Sequence, residues 1–354
     1  LKADLPDLWT SRAATDAQPG ERRTGASRKP RLGFLGVGWI GRHRMNAIAA
    51  SDVAEVVALS DPDAVNLAEA QALAPRAATP DSFEGLLDLE LDGLVVATPS
   101  ALHAEQAEAA LARGIAVFCQ KPLARTAEET RQVIAAARRA DRLLGVDMSY
   151  RQTHAMHRIH AAMLAGEIGE VYAVDLVFHN AYGPDKPWFR DPERSGGGCV
   201  IDLGIHLVDL ALWLLGFPEV RNVWSRLYAR GRPLAARPTI VEDHALAQFE
   251  LENGAMVRLA CSWNLAAGRN AVIEARLHGT RGGLSMRNVD GSYYDFVAER
   301  FEGTRTIVLA SPPDDWGGRA AVLWSRRLAS GAGFDPEIES ATRVARVLDA
   351  IYGR

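Results

Sequence analysis

Asp202 and His206 stand four residues apart in the run Gly196-Gly197-Gly198-Cys199-Val200-Ile201-Asp202-Leu203-Gly204-Ile205-His206-Leu207-Val208-Asp209. If both lie on a helix, they share one face. If Asp202 precedes the helix, it sits at the N-terminus, where a carboxylate is stabilised. Either way an acid and an imidazole come close enough to serve a proton-transfer site. The glycine triplet ahead of them allows close approach of another backbone or of a ligand. A third group is Lys121, in Cys119-Gln120-Lys121-Pro122. The chain holds four lysines among 40 Lys and Arg residues, so a lysine inside a motif stands out. A compact ammonium responds to its surroundings in a way that a forked, permanently charged guanidinium does not. Lys121, Asp202 and His206 are therefore the candidate catalytic set.

A second constellation suits a nucleotide. Gly36-Val37-Gly38-Trp39-Ile40-Gly41 follows an apolar run at 32–35 and opens an amphipathic segment. The spacing G-x-G-x-x-G is weak alone, but between a strand and a helix it allows a tight turn. It also lets the backbone approach a pyrophosphate at the helix N-terminus. Gly36, Gly38, Trp39, Ile40 and Gly41 are the expected contacts. The next apolar run ends at Ser60-Asp61. A carboxylate there can accept from both adenosine ribose hydroxyls and repels a 2′-phosphate. Pro62, not an arginine, follows it, which favours NAD over NADP. The competing role for Asp61, capping the next helix, is one that Asp63 can also fill. Thr98, in Thr98-Pro99-Ser100-Ala101-Leu102-His103, follows another strand and is placed to touch the cofactor, as are Gln120 and Lys121. His103 lies one turn into the following helix and is either a cofactor neighbour or a satisfied structural histidine.

These residues need elements to position them. From Arg31 to about Val146, apolar runs of four to six residues alternate with amphipathic, Ala-rich segments of about 10–15. The runs fall at 32–35, 54–59, 93–97, 115–119 and 143–146. They read as strands buried on both faces, with crossover helices between them. Thr126 and Glu129 form a capping box for one of these helices. The pattern predicts a doubly wound parallel sheet. After about residue 150 it changes to a helix at 152–165, a strand at 171–179, a helix at 204–215 and several alternating strands up to 310. Two helices, at about 317–329 and 337–352, follow. That is an α+β unit with an open, mainly antiparallel sheet. The expected divisions are a polar tail or arm at 1–29, a Rossmann domain at 30–150, and a substrate-binding and oligomerisation domain at 151–354. The last helix is a candidate to pack back on the Rossmann domain.

Position suggests the substrate side. Arg151 begins the second unit, at the cleft. The loop Tyr182-Gly183-Pro184-Asp185-Lys186-Pro187-Trp188-Phe189-Arg190 precedes the triple glycine. Its aromatics and cations suit stacking on a ring and binding hydroxyls or a carboxylate, with Tyr182, Lys186 and Trp188 as the expected contacts. Trp188 and Phe189 also suit an interdomain core. His154, His157 and His160 recur at helical spacing without a fourth ligand, so no metal is expected.

Composition excludes other classes. A net charge of −4 leaves no footprint for nucleic acid. No apolar run approaches the roughly 18 residues of a membrane span. The first 30 residues lack the apolar core of a secretory signal. Cys119, Cys199 and Cys261 are odd in number and widely spaced, as for reduced thiols in a cytoplasmic protein. An open antiparallel sheet needs a covered face, so a homodimer or homotetramer through that sheet is expected.

Taken in order, these motifs resemble the Gfo/Idh/MocA oxidoreductases, the group of glucose–fructose oxidoreductase and inositol dehydrogenase. The resemblance runs over nearly the whole chain from Arg31. Its most specific part is G-G-G-x3-D-x-G-x-H-x2-D at 196–209. It implies a Rossmann domain followed by an open-sheet α+β domain. It also implies NAD(P)-dependent oxidation or reduction of a sugar, polyol or related hydroxy compound. By that likeness His206 is the general base for the substrate hydroxyl, Lys121 holds that hydroxyl, and Asp202 orients the substrate or tunes the histidine. The chemistry agrees: hydride leaves a carbinol carbon only as its O–H proton is removed, and a nearby cation stabilises the developing alkoxide. The family's Glu-Lys-Pro motif is Gln120-Lys121-Pro122 here, which removes a charge that would favour the ammonium. Two further readings fit the same motifs: a nucleotide-bound sensor without turnover, and an enzyme whose bound NAD oxidises transiently to permit elimination or glycosidic cleavage.

Overall fold

The computed structural model describes residues 28–235 and 239–354. The tail expected at 1–29 falls almost wholly outside them. The first half alternates strand and helix: β1 (Arg31–Leu35), α1 (Trp39–Ser51), β2 (Glu55–Ser60), α2 (Ala64–Leu73), α3 (Phe83–Leu87), β3 (Gly93–Val96), α4 (Ser100–Ala112), β4 (Ala116–Cys119), α5 (Ala127–Ala140) and β5 (Leu144–Val146). The strands pair in parallel in the order β2-β1-β3-β4-β5. Every residue of β3 and β4 is buried, which is why these strands read as unbroken apolar runs. Gly41, Arg44, Met45 and Ile48 form the buried stripe of α1, at helical spacing. Asp63 caps α2 through the N–H groups of Val65 and Asn66, which removes that task from Asp61. The capping box at α5 forms in altered register. Thr126 accepts from the Glu129 N–H, but the Glu129 carboxylate reaches back to the Arg125 N–H.

The second half begins with α6 (His154–Leu164) and β6 (Val171–Asn180). The loop after β6 leads into α7 (Pro192–Ser195), a π-helical turn (Val200–Gly204) and α8 (Ile205–Leu214). Next come β7 (Val220–Ala229), β8 (Arg232–Pro233), β9 (His244–Leu251), β10 (Met256–Ser262), β11 (Ala271–Gly279), β12 (Gly283–Asn288), β13 (Phe296–Glu302) and β14 (Arg305–Ala310). Two helices, α9 (Arg319–Ala329) and α10 (Ser340–Tyr352), close the chain. The nine strands run β14-β13-β12-β11-β6-β10-β9-β7-β8. All neighbours are antiparallel except β6 and β10. A parallel pair needs a crossover, and this one carries the 196–209 segment over one face of the sheet. On that face Val174, Leu176 and Phe178 of β6 share a core with Leu207, Leu210 and Ala211 of α8 and with Val344, Val347 and Leu348 of α10. Strand β13 is not legible in the sequence because Glu299 and Arg300 interrupt its apolar alternation; Glu299 is paired with Arg287.

Helix α9 returns to the parallel sheet. Its Trp324 packs on Phe118 at 5.7 Å between ring centroids. The run Pro192–Leu214, with a mean hydropathy of 1.6, is long and apolar enough by composition to cross a membrane, contrary to expectation. Of its most apolar 18-residue window, 89% is buried inside the protein, where those side chains fill the second core.

Candidate active site

Strands β1, β3 and β4 are neighbours, and each ends in one of the chemistry-bearing loops. The loop after β1 is the glycine turn. Gly36 has φ +83°, and a Cβ there would lie 2.6 Å from the Ala97 carbonyl oxygen at the end of β3. A Cβ on Gly41 would lie 2.2 Å from the Gly36 carbonyl oxygen. These two glycines therefore serve the chain's own packing. Gly38 differs: a Cβ there would meet only Lys186 Nζ, at 3.3 Å. Helix α1 begins just after Gly38 with no side-chain cap and no acid in its first turn, so its free N–H groups suit an anion. The Asp61 carboxylate accepts from the N–H groups of Val37 (2.7 Å) and Asp63 (2.9 Å). This ties the end of β2 to the turn, and a carboxylate has lone pairs left for ribose hydroxyls. These donors and acceptors fit a dinucleotide.

Lys121, after β4, reaches the crossover segment. Its Nζ donates to Asp202 Oδ1 (2.8 Å) and to the Asp202 carbonyl (2.7 Å). Trp263 Nε1, just past β10, donates to Asp202 Oδ2 at 3.1 Å, so both carboxylate oxygens are held. Asp202 lies in the π-helical turn and His206 in α8, so the acid precedes the regular helix. His206 is buried, with its ring centroid 4.7 Å from that of Tyr150. Burial, then the charges of Lys121 and Arg44, hold its pKa well below 6.5. Its Nδ1 is buried and has no hydrogen-bond partner among the described residues, which penalises the doubly protonated ring further.

Two buried carboxylates brace this site, and neither was singled out from sequence. Asp147, after β5, accepts on Oδ2 from Arg44 Nε (2.6 Å) and from Gln120 Nε2 (2.5 Å). Glu242 accepts from the N–H groups of Gly198 and Val200, both at 2.9 Å, and from the Tyr352 hydroxyl at 2.8 Å. A Cβ on Gly198 would lie 1.9 Å from the Glu242 carbonyl oxygen. Gly197 is closed in the same way by the Tyr352 hydroxyl, so at these two positions the triplet admits the chain's own groups. Asp147 at a strand end and Arg44 on the buried stripe of α1 were the available signals. Nothing local marks Glu242.

The remaining expected residues divide. Thr98 donates to Gln106 at 2.6 Å. His103 is buried, with its ring nitrogens 2.7 Å from the carbonyls of Pro122 and Thr98, so it braces the loops after β3 and β4. Arg151, expected at the cleft, is paired with a residue of α8. Through Nε and one Nη it holds both carboxylate oxygens of Asp209 in a largely buried pair, and its guanidinium lies over Trp213 and Phe217, so this edge serves the fold. Tyr182 is exposed and donates to Asn270. Trp188 stacks on Phe189 at 3.8 Å, and Phe189 meets Trp263 edge-on at 6.3 Å, which joins this loop to the partner of Asp202. Trp39 is 58% exposed beside Gly38. Among the described residues no three His, Cys, Asp or Glu side chains gather as for a metal ion.

Residues 31–148 match the family model of the oxidoreductase family with an NAD-binding Rossmann fold, and residues 156–285 match the GFO/IDH/MocA C-terminal domain. The chain belongs to the Gfo/Idh/MocA oxidoreductases. Among relatives in this family, it is similar to a putative UDP-kanosamine synthase oxidoreductase subunit from Amycolatopsis mediterranei (strain S699). That match is 33% identical and covers 73% of this chain and 75% of the relative. It is 28% identical to D-glucoside 3-dehydrogenase of Escherichia coli (strain K12), over 72% of this chain and 76% of that one. It is also similar to levoglucosan dehydrogenase of Pseudarthrobacter phenanthrenivorans, at 27% identity over 90% and 94% of the two chains. A solved levoglucosan dehydrogenase complex with NADH and levoglucosan shares the fold, with a TM-score of 0.78 at 23% identity over 92% of this chain and 96% of that one. The Gfo/Idh/MocA assignment makes this protein an oxidoreductase with an NAD-binding domain.

Proposed function

We propose that the protein transfers hydride between a CH–OH group of a sugar or polyol and the nicotinamide of NAD. The observation that carries this is the Lys121–Asp202–His206 cluster, with the ion pair part-buried and the histidine buried, beside the C-terminal edge of the strands that hold the glycine turn. When bound, the cofactor supplies the hydride acceptor or donor. Gly36, Gly38, Trp39, Ile40, Gly41, Asp61, Thr98 and Gln120 lie on or beside the loops that would hold it. His206 takes the hydroxyl proton in oxidation and returns it in reduction. Because Nδ1 is buried, Nε2 is the nitrogen left for the hydroxyl. Lys121, held in place by Asp202, lends positive charge to the reacting oxygen. Trp263 and Tyr150 keep water from this corner, and Trp188 offers a face to a sugar ring. The carbohydrate dehydrogenases among the relatives support a sugar hydroxyl as the target. The three free, buried thiols suit a reducing compartment such as the cytoplasm. The uncovered face of the nine-stranded sheet suits a homo-oligomer.

A screen of sugars, polyols and inositols with NAD and NADP, read at NADH absorbance, tests the activity. His206→Ala should then lower kcat by about 100-fold or more while leaving NAD affinity within twofold. An equal loss in both would overturn the general-base role. In the wild type, kcat/KM for oxidation should rise with pH and reach its plateau below pH 6.5, because the free enzyme's imidazole is already neutral there. NAD binding without turnover on any substrate would favour a sensor.

A further inference from the structure

We propose that Lys186 is a phosphate clamp: carried by the loop of the second half, its ammonium binds the dinucleotide pyrophosphate over Gly38. The inference rests on the NAD reading above and adds a residue to it from across the cleft. Within the glycine turn, Gly36 and Gly41 are closed by the chain's own backbone, whereas the space in front of Gly38 is bordered by Lys186 Nζ at 3.3 Å from a Cβ position. A group that approaches the backbone there meets the ammonium at the same time. Lys186 is exposed and, among the described residues, has no hydrogen-bond or ion-pair partner. The anion-binding end of α1 brings no acid of its own: it has neither a side-chain cap nor a first-turn carboxylate. The main-chain donors and the ammonium therefore face the same ligand, and the class of ligand both would share is a phosphate ester or anhydride.

The clamp also has a mechanical consequence. Lys186 immediately precedes the turn Pro187–Arg190, whose Trp188 and Phe189 are stacked, and Phe189 abuts Trp263, the donor to Asp202. Anchoring Lys186 on the cofactor holds this aromatic chain against the catalytic aspartate. Lys186 is thus a cofactor-binding residue rather than the substrate contact its place in the sequence suggests.

Isothermal titration of the full chain with NAD, without substrate, at low and at physiological salt tests the clamp. Lys186→Gln should weaken NAD binding about tenfold at low salt, and the loss should shrink as salt rises. Lys186→Arg should restore most of the affinity, and ADP-ribose should show the same pattern as NAD. Unchanged NAD affinity in Lys186→Gln, whether or not the KM for sugar rises, overturns the clamp and leaves the NAD reading standing. A wild type that binds neither NAD nor NADP overturns both. Thermal unfolding of the variants, expected within about 1 °C of wild type, excludes a folding defect.

Discussion

Gln120 stands where the family motif carries glutamate, and the structure supplies a reason. Its amide donates at 2.5 Å to Asp147, a carboxylate with a fully buried side chain that also takes Arg44. A glutamate at 120 would set two carboxylates against each other, and they could coexist only by sharing a proton. The negative charge next to the Lys121 loop therefore resides on Asp147, and residue 120 must be a donor. Gln120→Glu is expected to destabilise the protein by about 2–3 kcal/mol at pH 7.5. The sign of its pH dependence follows. The new carboxyl has a folded pKa above its unfolded one, so the penalty is full at high pH and disappears as the carboxyl protonates. Thermal unfolding at pH 7.5 and pH 5 should show the gap to wild type narrowing at the lower pH, and Asp147→Asn should rescue the variant. A constant gap, or no gap, would contradict this pairing. None of it was legible in the sequence, because Arg44 and Asp147 meet across 103 residues of chain. A charged residue on a buried stripe announces a partner without naming it.

At the scale of elements, the strands covered on both faces were readable because burial on both sides leaves unbroken apolar runs, as in β3 and β4. The order of Asp202 and His206 along one segment was readable too. What holds that segment was not. The turn that carries Asp202 is clamped between Glu242, 44 residues from Gly198, and Tyr352, at the end of α10. The Tyr352 hydroxyl donates to Glu242 and accepts from the Ile201 N–H. Burial raises the pKa of Glu242, and the hydrogen bonds it accepts offset part of that rise. The last helix thus acts as a buttress for the site. Gly198 is the tightest point, and Gly198→Ala forces its new carbon into the Glu242 carbonyl. The expected cost is about 2 kcal/mol or more. Turnover should fall further than the loss of folded protein explains, because Asp202 and His206 shift with the segment. Calorimetry and kcat on the same preparation check this. Unaltered kcat per folded molecule would mean that the clamp does not position the catalytic pair.

On the scale of the whole molecule, the two faces of the nine-stranded sheet differ. One is filled by α6, α8 and α10. The other alternates with it along every strand, and the register aligns its side chains across neighbours: Trp224 opposite Gln248, Arg226 opposite Leu246, Leu246 opposite Ala260, and Ala260 opposite Val177. Trp224 is 54% exposed, Leu246 39%, Met256 38% and Val308 59%. An antiparallel sheet tolerates water on one face when that face is polar. This one sets large apolar side chains among the ion pairs Arg258–Asp175 and Arg276–Glu274, a mixture suited to a self-complementary interface. A second copy of the chain on this face would cover the tryptophan and leave the cleft, on the helical side, open to cofactor and substrate. The protein is therefore expected to run as a dimer or tetramer in light scattering at micromolar concentration. Trp224→Glu combined with Leu246→Arg should lower the mass toward 38.4 kDa while NAD affinity stays within about threefold of wild type, since neither residue touches the cleft. A wild-type monomer, or a double variant of unchanged mass, would place the contact elsewhere.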